Sequence, residues 1–216
     1  MLEKMSDFFE ARLEGYDEHM LNDIEFATEF YPFTASQLPI SKDSCVLDLG
    51  CGTGLELEEY FKLCPSASVT GIDLSRGMLS ALRKKFTDKD ITLIIGSYFD
   101  TPLGVAVYDA AVSVESLHHF TKAEKVPLYA KLHSALKKDG YFILTDYFAP
   151  SDEDENIFRQ ALIDLKAELG ICDGEFYHYD TPLTVEHETE ALIEAGFKSV
   201  EILNLWGATY TIKAMK

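Results

Sequence analysis

The sequence predicts an α/β fold built on a seven-stranded, mostly parallel sheet, with an antiparallel last strand and helices on both faces. Short apolar runs alternate along the chain with amphipathic stretches, as they do in stacked βα units. The last two apolar runs flank a lone Gly207, which is too short a connection for a crossover helix, so this pair is predicted to be antiparallel. Two helical segments fall outside the alternation and are interpreted as lids.

The strands are assigned from near-continuous apolar runs, because a strand covered on both faces carries few polar side chains. The predicted strands are Ser44–Leu49, Val69–Leu74, Ile91–Ile95, Tyr108–Val114, Tyr141–Asp146, Val200–Trp206 and Ala208–Met215.

Helices are predicted between the strands wherever apolar residues recur at helical spacing. The core helices are Leu55–Leu63, Arg76–Phe86, a segment that ends at Leu136, and Val185–Ala195; the lids are Met5–Tyr31 and Ser151–Pro182. The prediction is therefore one domain with four parts: an N-terminal helical lid (1–40), a cofactor-binding core (44–146), a lid insertion (151–183), and a C-terminal helix with a strand pair (184–216).

Composition limits the partners of this domain. The 216 residues are 47% hydrophobic, which suits one well-buried core, and 19 basic against 37 acidic residues leave a net charge of −18. This charge argues against a nucleic-acid or anionic-membrane partner. No apolar run approaches the roughly 20 residues of a spanning helix, and Met1–Glu10 lacks an apolar signal segment. A soluble, cytoplasmic protein with four free thiols is predicted.

The most specific local feature is a glycine loop that follows the first strand. Val46–Gly54 runs from a buried strand into three alternate glycines, in the pattern Asp-x-Gly-x-Gly-x-Gly, just before a helix. Glycines permit positive φ and a close approach of backbone N–H groups to a ligand. A merely tight turn is the alternative, and the full pattern favours a ligand loop.

Asp73 lies at the end of the second strand, 19 residues after Gly54. In nucleotide-binding α/β folds an acidic side chain at this place accepts hydrogen bonds from ribose hydroxyls. The alternative is an N-terminal charge on the helix that follows. Loop and acid together predict a Rossmann-like nucleotide site, but the GxGxG spacing differs from the GxGxxG of dinucleotide oxidoreductases.

These residues resemble motif I of the class I S-adenosylmethionine-dependent methyltransferases. The resemblance implies that the loop surrounds the methionine part of the cofactor, that Asp73 binds the ribose, and that Met78 packs against adenine. Ser97 stands where the family often has an aspartate for the adenine amine, so Tyr98 is expected to contribute more. The implied cofactor residues in this half of the chain are Asp48, Gly50, Cys51, Gly52, Gly54, Asp73, Leu74, Met78, Ser97, Tyr98 and Glu115.

Both ends of the chain extend the resemblance. Phe8–Arg12 and Tyr16–Asp17 are similar to the opening of small methyltransferases, which folds over the cofactor, so Arg12 and Tyr16 are expected at its carboxylate. Leu183–Phe197 is similar to the tail of proteins related to the wobble-uridine carboxymethyl-transferring enzymes. Those proteins hold a carboxylated cofactor with an arginine before this tail. The comparable region here has only two tyrosines and a histidine, so ordinary S-adenosylmethionine is predicted.

The candidate catalytic residues are Glu115, His118 and His119, which follow the fourth strand. Ligands in open α/β sheets bind beyond the carboxyl ends of strands, and histidine suits proton transfer near neutrality. The alternative is that both histidines only cap the strand end. Two adjacent histidines supply too few ligands for a metal ion, so no metal is predicted. The candidate substrate-binding residues are Tyr147, Tyr177 and His178, with core packing as the alternative for the tyrosines.

The predicted function is methyl transfer from S-adenosylmethionine to a small-molecule acceptor, by a monomer or homodimer. Two alternatives stay open at this point. A tRNA-modifying methyltransferase would need a local basic patch, for instance around Arg83–Lys85, against the overall negative charge. A catalytically silent cofactor-binding or regulatory module would need no acid or base at all.

Overall fold

The computed structural model describes residues 2–172 and 174–216 and contains the predicted sheet. The strand order is β3-β2-β1-β4-β5-β7-β6, with β7 antiparallel to both of its neighbours and the other pairs parallel. The strands are β1 Cys45–Leu49, β2 Ser68–Asp73, β3 Asp90–Ile95, β4 Tyr108–Val114, β5 Leu136–Tyr147, β6 Ser199–Trp206 and β7 Thr209–Met215. The predicted fold class is confirmed, including the hairpin at Gly207.

Eight helices accompany the strands in the described part of the chain. They are α1 Met5–Ala11, α2 Tyr16–Asn22, α3 Ala27–Ser36, α4 Leu55–Leu63, α5 Arg76–Lys85, α6 Lys122–Ala135, α7 Asp152–Glu168 and α8 Val185–Glu194. Several begin at a side-chain cap: Ser75, Ser151 and Thr184 each accept a hydrogen bond from the backbone N–H three residues on. Thr121 and Glu124 form a capping box at the start of α6.

Two hydrophobic clusters lie on opposite faces of the sheet. One contains Leu128 and Leu192 from α6 and α8, and the other contains Phe30, Leu57 and Leu82 from α3, α4 and α5. The central strands are buried between them, which explains their near-continuous apolar sequences. The carboxyl ends of β1, β2 and β4 are left facing the two lids.

The N-terminal segment, predicted as one helical lid (1–40), contains three helices. Its helices are separated at Gly15 (φ 80°) and at Phe26 (φ 63°). The third of them, α3, belongs to the core: Phe30 is fully buried, and the Thr34 hydroxyl lies 2.5 Å from that of Thr145 in β5. Within this segment, α1 and α2 are the helices that stay candidates for a lid.

The fifth strand is longer than predicted, because it includes Lys138, Asp139 and Gly140 before the predicted start at Tyr141. The fifth strand starts at Leu136 and runs through this sequence, with Asp139 at a φ of 64° and a register shift opposite Tyr108–Ala110. Polar residues at the exposed start of a strand look like a turn, because no apolar pattern marks them.

The two lids are joined to each other. The Met5 N–H donates to the Phe176 carbonyl at 3.0 Å, and the His178 N–H donates to the Glu3 carbonyl, also at 3.0 Å. The rings of Phe8 and His178 stack with their centroids 3.4 Å apart. The N-terminal helices and the inserted loop therefore form one cover over the carboxyl end of the sheet.

Candidate active site

The glycine loop depends on residues without side chains. Gly50, Gly52 and Gly54 all have positive φ, at 77°, 47° and 78°. A Cβ on Gly50 would lie 2.1 Å from Ser116 Oγ, and one on Gly54 would lie 3.0 Å from Phe86. Backbone conformation and close packing thus both require glycine in this turn.

Three N–H groups of the loop, those of Gly50, Cys51 and Gly52, donate to acceptors within the protein. Gly50 and Cys51 donate to the Ile72 carbonyl at 2.9 and 3.2 Å, and Gly52 donates to Asp73 Oδ2 at 2.9 Å. The loop is therefore tied to the end of β2.

Asp73 is fixed from both sides. Its second oxygen, Oδ1, accepts a hydrogen bond from the Ser75 N–H at 2.8 Å. Burial raises the pKa of Asp73, although these backbone donors act in the opposite direction. The carboxyl group lines a narrow cleft of about 50 Å³ under the N-terminal lid. The predicted cofactor residues that line this cleft are Tyr16, Gly50, Gly52, Asp73, Leu74, Met78, Tyr98 and Glu115.

The other predicted cofactor residues lie elsewhere. Asp48 is buried under the loop beside Glu56, and burial and that neighbour raise its pKa. Cys51 is buried against Gly71, and Gly54 packs on Leu82 and Phe86. The Ser97 hydroxyl accepts from the Phe99 N–H at 3.1 Å, within its own turn. These four residues therefore support the glycine loop and the ends of the strands.

Arg12 is paired within its own lid. Its guanidinium donates to both carboxylate oxygens of Glu3, at 3.1 and 3.2 Å, and lies 3.6 Å from the centre of the Phe8 ring. Arg12 does not line the cleft, but it lines a second, larger cavity.

The large cavity has a volume of about 770 Å³ and adjoins the cleft, since Phe9, Tyr16 and Glu115 line both. Its walls include Phe8, Ile24 and Trp206, and its polar lining includes the predicted residues Glu115, His118, His119, Tyr147 and His178. Tyr177 faces a different cavity, of about 340 Å³, on the α7 side of the inserted loop.

Glu115 stands where the cleft and the large cavity meet. Its φ of 47° is unusual for a residue with a side chain, and its N–H donates to the Thr145 carbonyl at 2.9 Å. Burial, and then the charge of Asp146, raise the pKa of Glu115 to about 8.

His118 is oriented by Asp146, a residue that sequence reasoning missed. Nδ1 of His118 lies 2.5 Å from Asp146 Oδ1, while Oδ2 accepts from the backbone N–H groups of Leu117 and His118 at 2.8 and 3.0 Å. Burial alone lowers the pKa of His118, but the adjacent Asp146 carboxylate outweighs it and the pKa is raised. The sequence signal that could have identified Asp146 is its position at the carboxyl end of β5.

His119 meets Asp180, the second residue missed. Nδ1 of His119 lies 3.1 Å from Asp180 Oδ1, and Nε2 of His118 lies 3.6 Å from the same oxygen. Burial, followed by the positive charge of His118, lowers the pKa of His119 to about 4. Burial, followed by the negative charge of Asp180, raises the pKa of Tyr147. No pattern in the sequence brings Asp180 to this place.

A parallel sheet of this order, with a glycine loop after β1 and an acid after β2, defines a Rossmann-like nucleotide-binding protein. Residues 46–140 match the family described as a methyltransferase domain. This match confirms the resemblance to the class I S-adenosylmethionine-dependent methyltransferases that was drawn from the sequence.

Three known proteins illustrate the relationship. Carboxy-S-adenosyl-L-methionine synthase of Campylobacter fetus is 22% identical over 100% of this chain and 96% of its own length. Fatty-acid O-methyltransferase of Mycolicibacterium smegmatis is 26% identical over 77% of this chain and 58% of its own. The structure of human N-acetylserotonin methyltransferase with S-adenosylmethionine superposes with a TM-score of 0.64 at 20% identity, over 97% of this chain and 55% of that one. The chain thus spans little more than half of the last two proteins.

None of the helices in residues 2–172 and 174–216 is both long enough and apolar enough to cross a membrane.

Proposed function

We propose that this protein transfers a methyl group from S-adenosylmethionine to a small-molecule acceptor. The observation that carries the proposal is the junction at Glu115 between the cleft beside the glycine loop and the large cavity. A cofactor held in the cleft would face an acceptor held in the cavity. Such juxtaposition supplies much of the acceleration in a reaction between two bound molecules.

The residues of the cleft fit the cofactor. Asp73 presents a carboxyl group for ribose hydroxyls, and Leu74, Met78 and Tyr98 provide apolar surface for a purine. S-adenosylmethionine supplies an electrophilic methyl group on a positively charged sulfur. The cleft of about 50 Å³ is small beside ordinary cofactor sites of about 300–1,000 Å³, because α1 and α2 fill it, so these helices must move during binding.

The cavity favours a neutral or cationic acceptor. Arg12 is the one Lys or Arg side chain in its described lining, and that charge is paired with Glu3. Aromatic walls at Phe8 and Trp206 suit an apolar or aromatic body. Glu115, His118 and His119 form the polar end, where we propose that they bind and orient the atom to be methylated.

A second candidate function is synthesis of a carboxylated S-adenosylmethionine. It is favoured by the relative that this chain matches over its whole length. It requires a cationic group to bind the added carboxylate, and the described lining of the cavity offers only Arg12, already paired with Glu3.

The proposal is tested by calorimetry with S-adenosylmethionine, S-adenosylhomocysteine and NADH. We expect binding of the first two and none of the third, with a large loss of affinity in Asp73→Asn. Asp88→Asn is the matched control, because Asp88 lies on the exposed surface after α5. Binding of NADH alone would refute the proposal. The acceptor class is tested separately, by turnover against neutral, cationic and anionic small molecules.

Measuring the affinity for tRNA distinguishes a small-molecule acceptor from a tRNA acceptor. Tight binding with a steep dependence on salt would indicate a tRNA-modifying enzyme, whereas cofactor binding without turnover against any acceptor would indicate a regulatory module.

A further inference from the structure

We propose that His118, His119 and Asp180 form a binding site for one divalent transition metal ion, such as Zn²⁺, at the polar end of the large cavity. Binding of the ion is independent of the proposed function. Its role in presenting a hydroxyl or thiol acceptor to the cofactor cleft rests on that function.

The three ligand atoms are placed as a metal site requires. Nδ1 of His119 and Nε2 of His118 lie 3.1 and 3.6 Å from Asp180 Oδ1, and all three atoms lie within 4.8 Å of one another. Zinc binds imidazole nitrogen and carboxylate oxygen at about 2.0–2.2 Å, so neighbouring ligands of a tetrahedral ion are about 3.3–3.6 Å apart. The two measured spacings to Asp180 Oδ1, 3.1 and 3.6 Å, lie close to this range.

Asp146 fixes one ligand in the orientation needed. Its Oδ1 lies 2.5 Å from Nδ1 of His118, which leaves Nε2 of that ring directed at Asp180. Asp146 is itself held by the backbone N–H groups of Leu117 and His118, and it is 2% exposed. A carboxylate behind a histidine ligand is the usual support of a metal site, since it sets the tautomer and the direction of the free nitrogen.

Asp180 Oδ1 provides an independent indication. The atom is buried and accepts no hydrogen bond of normal geometry, although two imidazole nitrogens lie within 3.6 Å. A buried acceptor without a donor is costly, and a bound cation would remove that cost.

The site resembles a catalytic arrangement and not a structural one. Three protein ligands leave a fourth position for a water molecule or a substrate atom. His118, His119, Tyr147 and Asp180 all line the large cavity, so this position would be reached from the acceptor side. The expectation of no metal rested on two histidines; Asp180 adds the third ligand from the inserted loop.

The first test is titration of the metal-free protein with Co²⁺, read from its visible spectrum, together with equilibrium dialysis against Zn²⁺. We expect one ion per chain. His119→Ala and Asp180→Asn should each weaken binding at least ten-fold, and Asp146→Asn should weaken it about 10–100-fold. His133→Gln is the control, because that imidazole lies against Gly196, away from the site. Asp180 is on a loop and about half exposed, so its variant is expected to fold.

Weak binding that is equal in the wild type, H119A and D180N would overturn the proposal, since it would reflect only the acidic surface. The three residues would then form a metal-free network, with a charged His118 between Asp146 and Asp180.

A second readout distinguishes this proposal from the proposed function. The ion would link the loop after β4 to the inserted loop, so Zn²⁺ should slow proteolysis near residues 174–180 in the wild type and not in D180N. Calorimetry with S-adenosylmethionine is repeated on the chelator-treated protein. Cofactor binding without metal binding overturns only the metal site, and metal binding without cofactor binding overturns only the proposed function.

Discussion

Replacing Gly50 with alanine tests whether the glycine loop is required by packing as well as by backbone conformation. At a φ of 77°, an alanine pays about 1–2 kcal/mol for the left-handed conformation. The added Cβ would also lie 2.1 Å from Oγ and 2.7 Å from Cβ of Ser116, and overpacking of this kind costs about 1–3 kcal/mol. Together, G50A should lose about 2–5 kcal/mol of unfolding free energy.

Gly15→Ala provides the matched control. Gly15 has nearly the same φ, 80°, but a Cβ there would meet nothing within 4 Å. G15A should therefore lose only the conformational part, about 1–2 kcal/mol. Ser116→Gly in the G50A background should recover most of the packing part, because it removes both clashing atoms.

Urea denaturation followed by circular dichroism measures the wild type and the three variants, and the slope of the transition checks that the unfolded states are comparable. If G50A were no less stable than G15A, or if S116G gave no recovery, the close packing of the loop on Ser116 would not contribute to stability. Calorimetry on folded G50A should also show weakened S-adenosylmethionine binding, since Gly50 lines the cleft.

Three further outcomes are expected of the rest of the fold. Lys125→Met should cost about 3–5 kcal/mol in urea denaturation, because it leaves the buried Glu188 carboxylate without its ion-pair partner; adding Glu188→Gln should restore part of the loss. Thr121→Ala should cost about 1 kcal/mol by removing the capping box, and an equal stability of both proteins would contradict that role. His187 has a raised pKa, chiefly through its hydrogen bond to Glu155, so its stabilisation is complete below the unfolded-state pKa near 6.5 and is lost as pH rises through the folded-state pKa. The carboxyl groups that face His187 are Glu155, Asp152 and Glu190. Stability should therefore fall with rising pH in this range, and His187→Gln should flatten the change.

The sequence predicted the parts of the fold that depend on local pattern. The strands themselves followed from apolar runs, and the antiparallel direction of the last pair followed from the short connection at Gly207. The burial of α3 did not, because the contact of Thr34 with Thr145 joins residues 111 apart in the chain. The start of β5 was missed because Lys137 and Lys138 carry no strand pattern.

The candidate site shows the same division between local and distant information. Glu115, His118 and His119 follow β4, and the carboxyl-end rule places them at the site. The same rule covers Asp146 at the end of β5, but its role is defined only by the distance to His118. Asp180 lies outside the reach of the rule, because it arrives on an inserted loop.

That loop connects the two halves of the site. Met5 lines the cofactor cleft, and its N–H donates to the Phe176 carbonyl, four residues before Asp180. The loop is also held to the core, because the Thr181 N–H donates to the His118 carbonyl at 2.9 Å. In the proposed function, an outward movement of α1 that admits the cofactor would pull on the segment that carries Asp180. Cofactor entry and the geometry around His118 and His119 would then be coupled through these backbone hydrogen bonds.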